Sequence, residues 1–193
     1  MHTSTLSQQL KEQTAAAHQQ LEQRLQPYLM DAPTQQHYIH VLQSFYGFFA
    51  PLQEAIASFV TEAVLPDVQE RRSAAWIKKD LDYLQQSTGA VAAPHELPLI
   101  NNTPAAMGAL YVLEGSTLGG RMITKHLMRQ LPQLPAAALQ FFSGYGEHTG
   151  SKWKTFMEAL NQLPYNESDY STVIQTANTT FLKMDLWIQK TLR

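Results

Sequence analysis

Apolar residues recur every three or four positions along most of the chain, which is the spacing of one face of an α-helix. Pro51 lies inside a long helical segment and predicts a kink or a break there. No stretch alternates strictly between apolar and polar residues, so we expect an all-α protein with six or seven helices in a single domain, residues 1–193. The predicted helices cover residues 7–26, 35–64, 71–86, 103–130, 136–143, 151–163 and 168–192.

Turn-forming residues separate these segments. Pro27 follows the first helix, and a turn at residues 31–33 leads to Thr34, which is a favourable helix N-cap. Residues 89–103 form the longest predicted irregular connection. The next helix begins at Thr103–Pro104, because proline is tolerated at the first helical position.

A helical projection of the first segment places His18 at the edge of its apolar face. Glu22 lies one turn further along the same side, and Lys11 lies two turns before His18. A metal-ligating histidine needs its second ring nitrogen held by an acceptor, and a carboxylate at i+4 can supply one. Ordinary surface helices carry the same pattern, so both interpretations are open on these residues alone.

The helix over residues 103–130 carries a strip almost free of side chains. Glycines inside a helix cost about 1 kcal/mol each relative to alanine, so something must offset them. The offset can come from close helix packing, from a kink, or from a flat ligand lying against the backbone. Gly120 and Ser116 flank the strip, and the Ser116 hydroxyl can hydrogen bond a small molecule or water. The strip itself consists of Gly108, Val112, Gly115 and Gly119.

Composition narrows the function classes. The 193 residues include no cysteine, which excludes disulfides, thiolate metal sites and cysteine nucleophiles. The net charge of −2 gives no support to nucleic-acid or polybasic membrane binding. The first ten residues lack a signal-peptide pattern and no apolar run approaches the roughly 20 residues of a membrane span, so we expect a cytoplasmic protein.

Two stretches of the sequence together resemble the haem oxygenases. The first, Leu10-Lys-Glu-Gln-Thr-Ala-Ala-Ala-His18-Gln-Gln-Leu-Glu22, is similar to the proximal helix of that family. The resemblance implies that His18 is the iron ligand and that Glu22 is the acidic residue hydrogen bonded to it. It also implies that Lys11 lies near the haem propionates and that Thr14 belongs to the haem-binding set.

The second stretch, Tyr111-Val-Leu-Glu-Gly-Ser-Thr-Leu-Gly-Gly120, is similar to the distal helix in its bacterial form. The resemblance implies that the glycine backbone crowds the haem and directs oxygen toward one meso carbon. Ser116 stands where animal members of the family have an aspartate, so water near the bound oxygen would be held differently. The catalytic set predicted from this resemblance is Gly115, Ser116, Gly119 and Gly120.

Residues late in the chain complete the predicted haem site. Ala15 occupies the position of a second basic residue in the animal proximal helix, so propionate pairing would rely on Lys11 and on Lys154. Phe181 lies in the segment that resembles the last core helix of the family, and we expect it to wall the pocket.

The resemblance implies a haem oxygenase that cleaves haem to biliverdin, carbon monoxide and ferrous iron. Haem is then both cofactor and substrate, and an external reductase or ferredoxin supplies electrons for the reaction with O2. The main alternative is a non-catalytic haem-binding protein that serves as sensor, store or carrier.

Other helical classes fit less well. A thiamin-degrading hydrolase needs a cysteine nucleophile, and a di-iron oxidase needs paired Glu-x-x-His motifs, neither of which is present. A helical interaction module without a ligand would leave the glycine cluster unexplained.

Several remaining polar groups have simpler interpretations. His37 and His40 lack a nearby third metal ligand and are expected to be solvated, and Glu147–His148 belongs to a predicted turn. Three cations at four-residue spacing are expected to form a solvated helix face, and the first of them is also placed to approach a propionate or a redox partner. They are Arg121, Lys125 and Arg129.

Overall fold

The computed structural model describes residues 5–192, and within this range the chain is all-α, as the periodicity predicts. Residues 1–4, which begin the predicted polar N-terminus, and residue 193 lie outside the described part. Short 3-10 turns at residues 68–70, 94–96, 136–138 and 146–148 connect the longer elements. The helices are α1 (Leu6–Gln26), α2 (Gln35–Ala57), α3 (Ala74–Tyr83), α4 (Thr103–Gln130), α5 (Gln140–Ser143), α6 (Thr149–Gln162) and α7 (Glu167–Thr191).

Side-chain caps fix the starts of the long helices. Thr34, predicted as an N-cap, accepts a hydrogen bond from the His37 backbone N–H at 3.0 Å and thereby satisfies a donor that the first turn of α2 leaves free. Asn102 caps α4 in the same way through the Ala105 N–H at 2.8 Å. The boundaries of α4 are therefore those that the sequence predicts.

Helices α1 and α4, which carry the predicted haem-binding residues, both pack chiefly on α7. Helix α7 therefore holds them together. Arg24 and Gln20 of α1 donate hydrogen bonds to the carboxylate of Asp185 on α7. Burial opposes the ionisation of Asp185, but these two donors keep its pKa below the usual value. Two helices far apart in sequence are thus oriented by a third.

Pro51 does not break α2, which runs through it and ends at Ala57, earlier than expected. A proline at position 51 has no N–H to donate to the Gly47 carbonyl. That carbonyl instead accepts a hydrogen bond from the Ala92 N–H at 2.9 Å. The irregular segment after α3 therefore completes the hydrogen bonding that the proline leaves open.

Other predicted boundaries differ as well. The segment predicted as a helix over residues 136–143 is a 3-10 turn at Ala136–Ala138 followed by α5, and α3 ends at Tyr83 rather than at residue 86. The first helix ends at Gln26, as predicted, but the residues after it form a π-helical turn over Pro27–Asp31. Helix α3 begins at Ala74 rather than at Arg71, because the preceding residues turn inward. Arg71 and Arg72 are consequently buried in the protein and do not lie on an exposed helix face.

Candidate functional site

A cleft of about 680 Å³ opens between the π-helical turn after α1 and the second half of α4. Most of its α4 residues fall within about 80° of Gly115 in a helical projection, so the cleft continues the glycine face predicted from the sequence. Its lining residues are Met30, Leu118, Arg121, Met122, Lys125, His126 and Arg129.

Helices α1 and α4 run in the same direction past this face. The side chain of Tyr111 on α4 lies within hydrogen-bonding reach of Thr14 on α1, and Met30, further along the chain, faces the later part of α4. His18 follows Thr14 by one turn, and Gly115 follows Tyr111 by one turn. We infer that His18 lies level with the first distal glycine.

His18 has an accessible ring between a carboxylate and an aromatic side chain. Its Nε2 lies 3.5 Å from Glu22 Oε1, and its ring meets Phe181 of α7 edge-on, with the centroids 5.6 Å apart. Half of the His18 side chain is exposed (51%), whereas Phe181 is buried. One ring nitrogen can therefore be held by Glu22 while the other remains available to a ligand.

The glycine strip of α4 divides into a packed part and an open part. A Cβ at Gly108 would lie 2.3 Å from the Val173 carbonyl oxygen of α7, so this glycine permits a close helix crossing. A Cβ at Gly115 would lie 3.6 Å from the ring of Trp153. A Cβ at Gly119 would meet no neighbouring atom within 4 Å, so the backbone is exposed there, beside the cleft.

Gly120 differs from the expectation that it lines the haem face. It is buried, and a Cβ at this position would lie 2.1 Å from the carbonyl oxygen of Phe142. The residue points about 140° away from Gly115 in the projection, because it follows that glycine by five residues. The role of Gly120 is the close packing of α4 against α5.

The Ser116 hydroxyl forms hydrogen bonds behind the glycine strip of α4. It donates to the Leu113 carbonyl at 2.7 Å and accepts from the guanidinium of Arg72 at 2.5 Å. Arg72 also donates to the carbonyls of Leu113 and Phe141, and its guanidinium lies 4.1 Å from the centre of the Phe141 ring. Burial lowers the pKa of Arg72 to about 10, which leaves it charged at neutral pH.

A second buried group anchors the start of the glycine segment. Glu114 accepts from Arg71 at 2.7 Å and from the hydroxyl of Tyr145 at 3.0 Å. Tyr145 in turn accepts from the backbone N–H of Arg72 at 2.7 Å, so the two arginines and the two α4 residues form one network.

Sequence reasoning missed this network because residues 71–86 read as one amphipathic helix. The signal for it is Glu114 itself, a carboxylate between Leu113 and Gly115 on a largely buried helix. Such a group requires a buried cationic partner.

The predicted propionate partners lie on the surface. Lys11 is exposed on α1, and Lys154 is exposed on α6 with its ammonium 3.7 Å from Glu158. His40, expected to be solvated, pairs with Gln36 at 2.7 Å. The Glu147–His148 pair lies in a 3-10 turn, as expected.

Two whole-chain features concern metals and membranes. Between residues 5 and 192, no group of three or more histidine or carboxylate side chains is arranged to hold a metal ion. In the same part of the chain, no helix combines the length and apolar character needed to cross a membrane.

Comparison with known proteins gives a consistent result. A haem oxygenase of Xanthomonas campestris is 30% identical over 152 residues, which cover 79% of this chain and 87% of that protein. The NO- and CO-bound haem oxygenase of Neisseria meningitidis has a similar structure, with a TM-score of 0.77 and 21% identity over 98% of this chain and 92% of that one.

The haem complex of haem oxygenase-1 from the cyanobacterium Synechocystis has a TM-score of 0.72 and 16% identity, covering 97% of this chain and 92% of that one. The sequence profile of the family described as heme oxygenase matches residues 4–190. With the fold, the accessible His18 beside Glu22 and the glycine face of α4, these matches show that the chain belongs to the haem oxygenase family.

Proposed function

We propose that this protein cleaves haem to biliverdin, carbon monoxide and ferrous iron, with O2 and with electrons from an external reductase or ferredoxin. The observation that carries the proposal is the accessible His18 with Glu22 beside it. His18 lies at the level of the glycine face of α4, which has no side chain at Gly119. Membership of the haem oxygenase family supports the same reaction. We also propose that the reaction takes place in the cytoplasm.

The residues present fit a haem substrate. Haem can take a nitrogen ligand on one face, which His18 offers. The absence of a side chain at Gly119 leaves room for a flat macrocycle against the backbone of α4. Phe181 and Leu118 supply apolar contact, and the cations of the cleft can meet the propionates. Haem carries no charged substituent other than its propionates. The iron, the apolar ring and the propionates of haem therefore each have a matching group among these residues.

His18 and Glu22 bind and orient the substrate. In its neutral form the His18 ring donates from one nitrogen to Glu22 and offers the other to iron. Bound haem supplies the iron that activates oxygen, which is chemistry the side chains cannot perform. The Gly115 and Gly119 backbone limits the space on the opposite face and so determines which edge of the macrocycle is approached.

Ser116 and Arg72 act behind that face. Because the Ser116 proton is donated to Leu113, the hydroxyl offers an oxygen to a water rather than a proton. Arg72 fixes the hydroxyl from the other side. This arrangement would hold water without the aspartate that animal relatives have at this position.

A haemin titration tests the proposal. Purified protein with haemin should give a Soret band typical of histidine ligation, and ferredoxin with its reductase under air should replace that band with biliverdin absorption. His18→Ala should lose the ligation spectrum while its circular dichroism remains helical. His40→Ala is the matched control, because it removes a histidine that pairs only with Gln36 among the residues described, and it should behave as the wild type.

Two results would contradict the proposal. A stable ferrous spectrum in air without biliverdin would indicate a haem carrier or sensor instead. An unchanged ligation spectrum in His18→Ala would show that another residue holds the iron.

A further inference from the structure

The cleft beside the glycine face contains two of the protein's methionines. Met122 belongs to α4 and Met30 to the π-helical turn, and both side chains line the cleft. In a helical projection Met122 lies about 20° from Gly115, on the glycine face of α4. It follows Gly119 by three residues, so its thioether is a neighbour of the glycine whose backbone is exposed.

Met122 is also the most exposed methionine among residues 5–192. Its relative exposure is 63% and that of Met128 is 48%, whereas the other methionines in this part of the chain are half-buried or buried. Met128 lies on the same helix but about 140° from Gly115 in the projection, and it does not line the cleft. The two exposed methionines of α4 therefore differ mainly in their surroundings.

Hydrogen-bond donors flank Met122 on both sides. Arg121 precedes it and Lys125 follows it by three residues, and both line the same cleft. Among the described residues that line the cleft, none is a carboxylate that would compete for these donors. When hydrogen peroxide oxidises a thioether, one oxygen leaves with negative charge, and cationic N–H donors stabilise such an oxygen. The cleft is thus a favourable place for this reaction.

His126 supplies a further donor that lacks an acceptor. The Arg129 guanidinium can only donate, so its contact of 3.2 Å with His126 Nδ1 makes that nitrogen the acceptor and leaves the hydrogen of the neutral ring on Nε2. Nε2 is buried and has no hydrogen-bond partner among the residues described, which is uncommon for a buried polar atom. His126 follows Met122 by one helical turn on the same face. A sulfoxide oxygen on Met122 would offer this N–H an acceptor.

We propose that Met122 is a reversible oxidation site, at which hydrogen peroxide converts the thioether to a sulfoxide and thereby weakens haem binding. The sulfur donates an electron pair to one peroxide oxygen, so an S–O bond forms and the O–O bond breaks. The second oxygen leaves as hydroxide and takes a proton to become water. Sulfur is oxidised by two electrons and peroxide is reduced. The peroxide arises when the electron donor passes two electrons to O2 without haem cleavage.

The consequence for haem rests on the proposed function. Met122 and Leu118 are apolar side chains of the cleft, and oxidation makes the first of them polar. Apolar contact with the macrocycle is then reduced. Peroxide from unproductive turnover would lower the haem occupancy of the enzyme that produced it, and a methionine sulfoxide reductase would restore that occupancy. Met122 thereby limits unproductive turnover.

Peroxide treatment of the haem-free protein tests the site. The protein is incubated with hydrogen peroxide and desalted, and peptide mass spectrometry then measures the added oxygen at each methionine. We expect Met122 to be oxidised at least about three times faster than Met128, because donors assist the leaving oxygen. Haemin affinity should fall about 3- to 10-fold, the effect of losing apolar contact worth one or two methylene groups. Methionine sulfoxide reductase should reverse the loss.

Met122→Leu and Met128→Leu are matched variants. Each removes one exposed thioether of α4 and keeps an apolar side chain, and each is compared with itself before and after peroxide. Met122→Leu should keep its own haemin affinity within about twofold after treatment, because leucine is not oxidised by peroxide. Met128→Leu should lose affinity as the wild type does.

Four outcomes would contradict parts of this inference. Faster oxidation of Met128 would remove the assignment of Met122 as the preferred site. A loss of affinity that persists in Met122→Leu would place the effect at another methionine, such as Met30. Oxidation of Met122 with unchanged haemin affinity would overturn its regulatory role. Failure of the untreated wild type to bind haemin would remove the proposed function, whereas the oxidation rates, measured without haem, would still decide whether Met122 is the preferred site.

Discussion

Arg72 is a buried guanidinium that supports the distal helix from behind. It donates to two main-chain carbonyls and to Ser116, so its removal takes a charged donor from three acceptors in a largely buried place. The residue also balances the nearby charge of Glu114, which raises the pKa of Arg72 against the larger lowering by burial. Ser116 is therefore held in one orientation by a residue outside the recognised motif.

Replacing Arg72 with methionine should destabilise the protein by about 2–3 kcal/mol, because three hydrogen bonds are lost and each contributes about 1 kcal/mol. Urea unfolding followed by circular dichroism measures this change. Arg121→Met removes an exposed arginine of α4 and should change the unfolding free energy by less than about 0.5 kcal/mol. If the two variants unfold at the same urea concentration, Arg72 does not have the supporting role described.

Gly119 and Gly120 are neighbours with opposite expected responses to alanine. The methyl group added by Gly119→Ala would meet no neighbouring atom within 4 Å. The substitution should stabilise α4 by about 0.5–1 kcal/mol, because alanine has a higher helix propensity than glycine. Its methyl group would occupy the haem face, so haemin affinity should fall about tenfold.

Gly120→Ala would press against the Phe142 carbonyl and should destabilise the protein by about 1–3 kcal/mol. Its haemin affinity should change less than that of the Gly119 variant. Calorimetry and haemin titration of both variants measure the contrast, and a stability loss in Gly119→Ala would contradict it.

At the scale of elements, Asp80 fastens α3 to α5. Its buried carboxylate accepts hydrogen bonds from the backbone N–H groups of Gln140 and Phe141, at 3.0 and 2.9 Å. Helix α5 in turn carries Phe142, against which Gly120 packs. The position of the distal helix thus depends on a carboxylate two elements away.

Asp80 should make stability depend on pH. Burial, only partly offset by the two N–H donors, raises its pKa to about 6 from 3.8, so the folded state binds the proton more tightly. The stability that protonated Asp80 contributes is fully present below about pH 4 and is lost as the pH rises through about 6. Relative to Asp80→Asn, the wild type should lose on the order of 2–3 kcal/mol between pH 4 and pH 7.

Urea titrations at several pH values measure this difference. Asp82→Asn on the same helix is the control, since Asp82 is exposed and paired with Lys78. The difference between the wild type and the control should vary much less over the same range. An equal pH slope for both variants would show that Asp80 does not titrate in this interval.

Across the whole molecule, α1 and α4 are held mainly by their shared partner α7. A haem bound between His18 and Gly119 would connect the two helices directly. Ligands that bind only the folded state stabilise it by RT ln(1 + [L]/Kd), which is about 2.7 kcal/mol at 100 times Kd. Haem binding should therefore be visible in global stability as well as at the site.

Excess haemin should raise the melting temperature and protect α1, the turn at residues 27–31 and the second half of α4 from hydrogen exchange. The effect should be much smaller in His18→Ala. Hydrogen exchange detected by mass spectrometry measures the distribution. Protection confined to α2 and α3 would contradict the proposed position of the ligand.

The sequence by itself determined the helical class, most helix boundaries and the two motifs. Periodicity, caps and prolines act over a few residues, so α4 and the Thr34 cap are predicted from neighbours in the chain. The same local pattern identified His18 with Glu22 and the glycine strip, because residues one turn apart share a helix face.

The tertiary structure decided what each of those residues faces. The sequence left open whether the glycines serve packing or a ligand, and the structure divides them: Gly108 and Gly120 approach a neighbouring carbonyl, whereas Gly119 is open. It also brought Arg72 to Ser116 across 44 residues. Contacts of that kind depend on how the helices pack together, and no periodicity within one segment encodes them.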